Sequence, residues 1–116
     1  MAITVTSPSS NTSGVIELVY GDDYYNADGR SIAFSVAGFP PLVGSTAVVK
    51  VDKTSEILSF SCTVVDADSI YLELTSVQIA TIGVGYWKYD LQVTLSNGHV
   101  VTIVKNGTLL VDADIR

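Results

Sequence analysis

The sequence predicts an all-β fold, and three observations carry that expectation. The run from Tyr86 to Leu95 alternates strictly. Trp87, Tyr89, Leu91, Val93 and Leu95 lie on one face, and Tyr86, Lys88, Asp90, Gln92 and Thr94 on the other. Turn chemistry recurs at intervals of about 8 to 12 residues, the spacing of short sheet strands. No strand–helix alternation and no repeat of obvious period occurs. Together these predict a β-sandwich of about seven to nine strands in an immunoglobulin-like layout, with one short helix near residues 75–82. The domain reading is an N-terminal arm over residues 1–14 and a sandwich over residues 15–116.

Taken in order, Ile3 to Thr6 reads as an arm or first edge strand, ahead of a Ser/Thr/Asn-rich loop at Pro8 to Gly14. Val15 to Tyr20 is a strand broken by Gly21-Asp22-Asp23, and Asp28-Gly29 is a turn signal. Ser31 to Val36 places Ile32, Phe34 and Val36 on one face. Pro40-Pro41 excludes helix and central strand. Thr46 to Asp52, Ile57 to Val65 and Ser69 to Leu74 are the next strands, with Leu58, Phe60, Cys62 and Val64 sharing one face of the second. Thr75 and Gln78 fit a capping box, and Val77, Ile79, Ala80 and Ile82 form the apolar face of the helix it opens. Asn97-Gly98 is the preferred two-residue hairpin turn. That register sets Leu95 against Val100, Val93 against Thr102 and Leu91 against Val104, leaving Val101 and Ile103 facing outward. Asn106-Gly107 makes either a second hairpin or a bulge.

Composition narrows the function classes. At 116 residues the chain is one domain able to bury its own core. Only 16% of residues are charged, below the usual quarter or so. Either neutral Ser and Thr solvate the surface, or neighbouring subunits cover part of it. The net charge is −6 and the six basic residues are scattered in sequence, which argues against nucleic acid and against an anionic membrane as partners. Cys62 stands alone, so the expectation is a buried small hydrophobe without a disulfide. The N-terminus lacks the pattern of a secretory signal, and no apolar run is long enough to span a bilayer.

Catalytic chemistry is scarce. His99 is the sole histidine and follows a hairpin turn, a poor place for a catalytic triad. One Cys and one His cannot make an ordinary zinc site. The loop from Gly21 to Gly29 fails the calcium-loop pattern at both ends. A looser cation site on Asp22, Asp23 and Asp28 stands beside the simpler reading that these residues make turns. Asp66 with Asp68, and Asp112 with Asp114, are paired carboxylates, but glycoside hydrolysis also needs a sugar-sized cleft. No phosphate-binding glycine loop is present. The expectation is no enzyme activity, no cofactor and no resident metal. Phe34, Phe60, Trp87 and Tyr89 fit core positions; Tyr24, Tyr25, Tyr71 and Tyr86 do not, and Tyr is common between subunits.

The C-terminal third carries a resemblance. Gly85, Tyr89-Asp90-Leu91-Gln92-Val93-Thr94, Asn97-Gly98, Val100-Val101-Thr102, Gly107, Val111 and Asp114-Ile115-Arg116 together resemble a module of small virion proteins of tailed bacteriophages. The same module opens siphophage upper baseplate proteins. Gly21-Asp22-Asp23-Tyr24 and Ala27-Asp28-Gly29-Arg30 resemble an early loop of such proteins, while residues 37–74 show little likeness. The resemblance implies a non-enzymatic, Ig-like tail or baseplate module in the virion, assembled in the host bacterial cytoplasm. Its implied partners are other virion proteins and copies of itself, in a homo-oligomer. Upper baseplate proteins continue into further domains and this chain stops, which brings in a second reading, a capsid decoration (cement) protein. A free carbohydrate-binding or small hydrolytic β-domain is the outside alternative. The expected contact residues are Tyr24, Tyr25, Phe39, Leu42, Val43, Val101 and Ile103, with the arm as a further candidate through strand addition.

Overall fold

Strand-forming residues dominate the chain, and the computed structural model arranges its described residues in eight strands and one short helix. It describes residues 2–6, 15–37 and 42–113, with residues 2–6 and 37 as backbone only. The strands are β1 (Ala2–Thr6), β2 (Ile16–Val19), β3 (Ile32–Ala37), β4 (Thr46–Asp52), β5 (Ile57–Val64), β6 (Ser69–Leu72), β7 (Gly85–Thr94) and β8 (Val100–Asp112). A single 3-10 turn (Asn26–Asp28) precedes β3, and helix α1 (Ser76–Ile82) precedes β7.

The strands hydrogen-bond in the order β1-β3-β6-β5-β4-β7-β8-β2. β5 is the corner. Its residues 57–62 pair with β4, while Thr63 and Val64 pair with β6. The sheet therefore folds over at β5 into two facing layers, a nearly closed, barrel-like sandwich. Its edge strands, β1 and β2, follow one another in the chain. β1 runs antiparallel to β3, and β2 runs parallel to β8. Period-2 alternation explains the core between the layers. Ile32, Phe34 and Val36 face inward from one layer, and Val49, Val51, Leu91 and Val93 from the other. The Phe34 and Tyr89 rings meet across the gap with centroids 6.5 Å apart. Each fully buried side chain of this size stabilises the fold by about 1.5–3 kcal/mol.

Helix α1 starts where its capping box places it. The Thr75 hydroxyl accepts from the Gln78 amide at 3.2 Å, and Gln78 Oε1 accepts from the Thr75 amide at 2.9 Å. Ile79 and Ile82 are buried against the core. Val77 and Ala80 are exposed, so the apolar face is narrower than expected. At the other end the Lys53 ammonium donates to the Ile82 carbonyl and lies 3.5 Å from the centre of the Trp87 ring. A cation there complements the negative end of the helix. Trp87 Nε1 donates to the Gly83 carbonyl at 2.9 Å, tying the helix end to β7.

The β7–β8 hairpin corrects the expected register. Asn97 keeps a negative φ, so the two-residue turn, which requires positive φ at both central positions, does not form. Gly98 adopts φ +89°, and its amide donates to the Leu95 carbonyl at 2.8 Å. The loop is thus three residues, Ser96 to Gly98, and Asn97 Oδ1 accepts from the His99 amide at 3.0 Å. Thr94 pairs with Val100, Val93 with Val101 and Gln92 with Thr102. Val101 is therefore on the Val93 side and half-buried, and Ile103 is buried in the core. Neither faces outward as expected; the outward apolar residue is Val100. Leu91 still pairs with Val104, because a bulge at Ile103 restores the residue that the longer loop removed. At Asn106-Gly107 the chain makes a second bulge within β8 rather than another hairpin.

Candidate functional site

The acidic loop, the best cation candidate in the sequence, is largely occupied with holding the fold. The Asp22 carboxylate pairs with the Arg30 guanidinium at 3.3 Å, and that guanidinium lies 4.9 Å from the centre of the Tyr24 ring. Asp23 Oδ1 accepts from the Ser76 amide at 2.6 Å, which puts a negative charge at the N-terminus of α1. Asp28 closes the 3-10 turn, whose first amide, on Asn26, donates to Glu73 at 2.7 Å. Among the described residues no three metal-ligating side chains gather.

Other chemistry-bearing residues fall on turns or in the interior. His99 is exposed beyond the hairpin loop. Asp66 Oδ1 accepts from the Asp68 amide at 2.9 Å, a side-chain-closed turn. Asp112 ends β8, and Asp114 lies outside the described residues. Burial pushes the Cys62 thiol up to about 12, partly offset by a backbone hydrogen bond from Val49. It stays a thiol at neutral pH, which fits the small-hydrophobe reading.

The expected contact residues separate sharply. Tyr24 is fully buried, bridging to Leu74 by backbone hydrogen bonds in both directions. Its hydroxyl accepts from the Val19 amide at 2.8 Å. Leu42 is fully buried, Ile103 is buried and Val101 is half-buried. Outward placement of Tyr24 and Leu42 is therefore corrected: each fills space between the layers. Tyr25 and Val43 are exposed. Phe39 lies outside the described residues, as does most of the arm.

What the structure does assemble is an open groove of about 660 Å³ on the outer face of β4, β7 and β8. Lys50, Asp52, Lys88 and Asp90 form its floor, with the β4–β5 turn on one side and the β8 bulge on the other. Lys50 stands directly opposite Asp90, and Asp52 opposite Lys88. Among the described residues no salt bridge or side-chain hydrogen bond engages the Lys50 or Lys88 ammonium group. Asp90 Oδ1 accepts from the Asn106 amide at 2.8 Å, and its Oδ2 lies 3.5 Å from Lys105 Nζ. Asp52 Oδ1 accepts from the Thr54 amide at 2.8 Å, supporting positive φ at Thr54.

Scattered positions in the sequence thus become one face. Lys50, Lys88 and Lys105 meet there, together with Asp52, Glu56 and Asp90. The sequence holds a usable signal: Lys50 alternates with Val49 and Val51, and Lys88 with Trp87 and Tyr89, which puts both lysines on the side opposite the core. What was missing was the strand pairing that makes them neighbours. Comparison with protein-family models, curated proteins and solved structures gave no match.

Proposed function

We propose that this chain is a non-enzymatic, immunoglobulin-like assembly module of a tailed-phage virion, in the tail or baseplate. Two lines support the Ig-like layout. β1, β3, β6 and the end of β5 share one layer, and β4, β7 and β8 the other. This resembles the division of an Ig sandwich into ABED and CFG sheets, with most of β5 paired to β4 and β2 added beside β8. A short helix also precedes the long β7 strand. The virion assignment rests on the resemblance of residues 85–116.

The observation that carries the contact reading is the outer face of β4, β7 and β8. It presents the ammonium groups of Lys50 and Lys88 with no partner among the described residues, in an open groove lined mostly by polar and charged side chains, with Ile57 at its rim. Such a surface recognises by complementary charge and hydrogen bonding. The test is quantitative mass spectrometry of purified particles. A virion component is present in many copies at a symmetric ratio to the major capsid protein. A ratio matching tail symmetry supports the tail reading, and one matching the capsid lattice supports decoration. Absence from particles overturns the virion assignment and favours a free binding domain.

A further inference from the structure

The groove is charge-balanced in a chain that is not. Three ammonium groups, on Lys50, Lys88 and Lys105, face three carboxylates, on Asp52, Glu56 and Asp90. The chain as a whole carries −6, so all of that excess lies elsewhere. The net negative charge that disfavours association is therefore carried outside this face, while this face carries none. Its signs are also interleaved rather than segregated: along β7 Lys88 is followed by Asp90, and across to β4 each lies opposite its counter-charge.

We propose that this face pairs with the same face of a second copy, about a twofold axis passing between Lys88 and Asp90. Twofold pairing is isologous, so each residue that contacts another is contacted by it in return. The axis sets Lys88 of each copy against Asp90 of the other. It also sets Tyr86, which is 76% exposed, over Gln92 of the second copy. Tyrosine in that position adds to the apolar contact offered by Ile57, which lines the groove and is 65% exposed. Other occupants fit less well. A nucleic acid or an acidic protein meets as many carboxylates as ammonium groups, and a greasy peptide meets a floor of lysines and carboxylates. The purpose of the pairing rests on the assembly reading above; its geometry does not.

Sedimentation equilibrium up to about 200 µM, which reads micromolar dissociation constants directly, decides the matter. The unaltered protein sediments at twice the chain mass. The axis also sets Lys50 of each copy against Asp52 of the other, so Lys50→Glu weakens the dimer at least tenfold, and so does Asp52→Lys. An equimolar mixture of the two variants recovers the dimer, because the reversed charges complement across the interface. Thermal melts establish that each variant is folded; if the charge variants are not, Tyr86→Ser at an exposed site gives the same reading. A monomeric unaltered protein overturns the proposal, as does a dimer indifferent to these changes or a mixture that stays monomeric. A dimer of this kind in a protein absent from particles leaves the interface standing and removes the virion role. A monomer abundant in particles does the reverse.

Discussion

The two edges of β7 obey different rules. Toward β4 it pairs over seven consecutive residues without interruption, from Thr94 opposite Thr46 to Lys88 opposite Asp52. Toward β8 it starts from a three-residue loop and shifts register twice, either side of Leu91. The regular edge stacks Val49 and Val51 on Leu91 and Tyr89 and sets lysines opposite carboxylates outside. The irregular edge uses its extra residues to turn Ile103 inward and to bring Gly107 beneath the Tyr89 ring. A regular ladder propagates the alternation written in the sequence. A bulged ladder resets it, and bulges are fixed by side chains elsewhere. Here the Asp90 carboxylate accepts the Asn106 amide and supports that residue at φ +55°.

The largest expected effect tests the reset directly. Ile103 is 6% exposed and Val100 62%. Ile103→Asp places an unpaired carboxylate in the core and costs about 3–5 kcal/mol. Val100→Asp changes stability by less than about 0.5 kcal/mol, as an exposed substitution does. Urea midpoints of the two variants measure this. The two-residue turn reverses the ranking, so a destabilised Val100→Asp beside a tolerated Ile103→Asp would break the comparison.

A smaller effect probes the second bulge. A Cβ on Gly107 falls 2.5 Å from the Tyr89 ring and 2.9 Å from Val104 Cγ1, closer than either tolerates. Gly107→Ala therefore costs about 2–3 kcal/mol by overpacking. Gly98 has open space around it but φ +89°, so Gly98→Ala costs only about 1 kcal/mol of backbone strain. If the two glycines behave alike in urea unfolding, the ring does not sit on β8 as described.

This contrast explains what the sequence made legible. The strands, the capping box at Thr75 and the inward set of β3, β4 and β7 follow from local periodicity and turn residues, which act over a few positions. The turn at Asn97-Gly98 was read as to place but not as to length. A loop one residue longer moves the facing side chains of β8 to the other side as far as the bulge at Ile103, and so turns Val101 and Ile103 inward. Tyr24 was missed for a different reason. Its burial depends on the Leu74 backbone, fifty positions away, and no local pattern encodes that. The groove was half legible: the outward lysines were visible strand by strand, and their convergence depended on which strands are neighbours.

The smallest effect lies on Tyr89, which joins the two edges, opposite Val51 on one side and Gly107 on the other. Its hydroxyl is buried with no hydrogen-bond partner among the described residues, and burial pushes the phenol up from 10.0 to about 12. The fold therefore favours the neutral phenol. Its contribution is complete below about pH 10 and is lost as pH rises toward 12, since the unfolded chain releases this proton first. Cys62, raised from 9.0 to about 12, adds a loss of the same sign that begins lower. Tyr89→Phe removes an unsatisfied hydroxyl and keeps the ring against Phe34 and Gly107. At pH 7 it raises stability by about 1 kcal/mol, and between pH 10 and 11.5 it shows a shallower loss than the unaltered protein. Urea unfolding at pH 7, 9, 10 and 11 measures both. A Tyr89→Phe variant that is less stable at pH 7 means that the hydroxyl makes a hydrogen bond in the core. The ring would then be held by that bond as well as by its packing between the regular and the bulged edge.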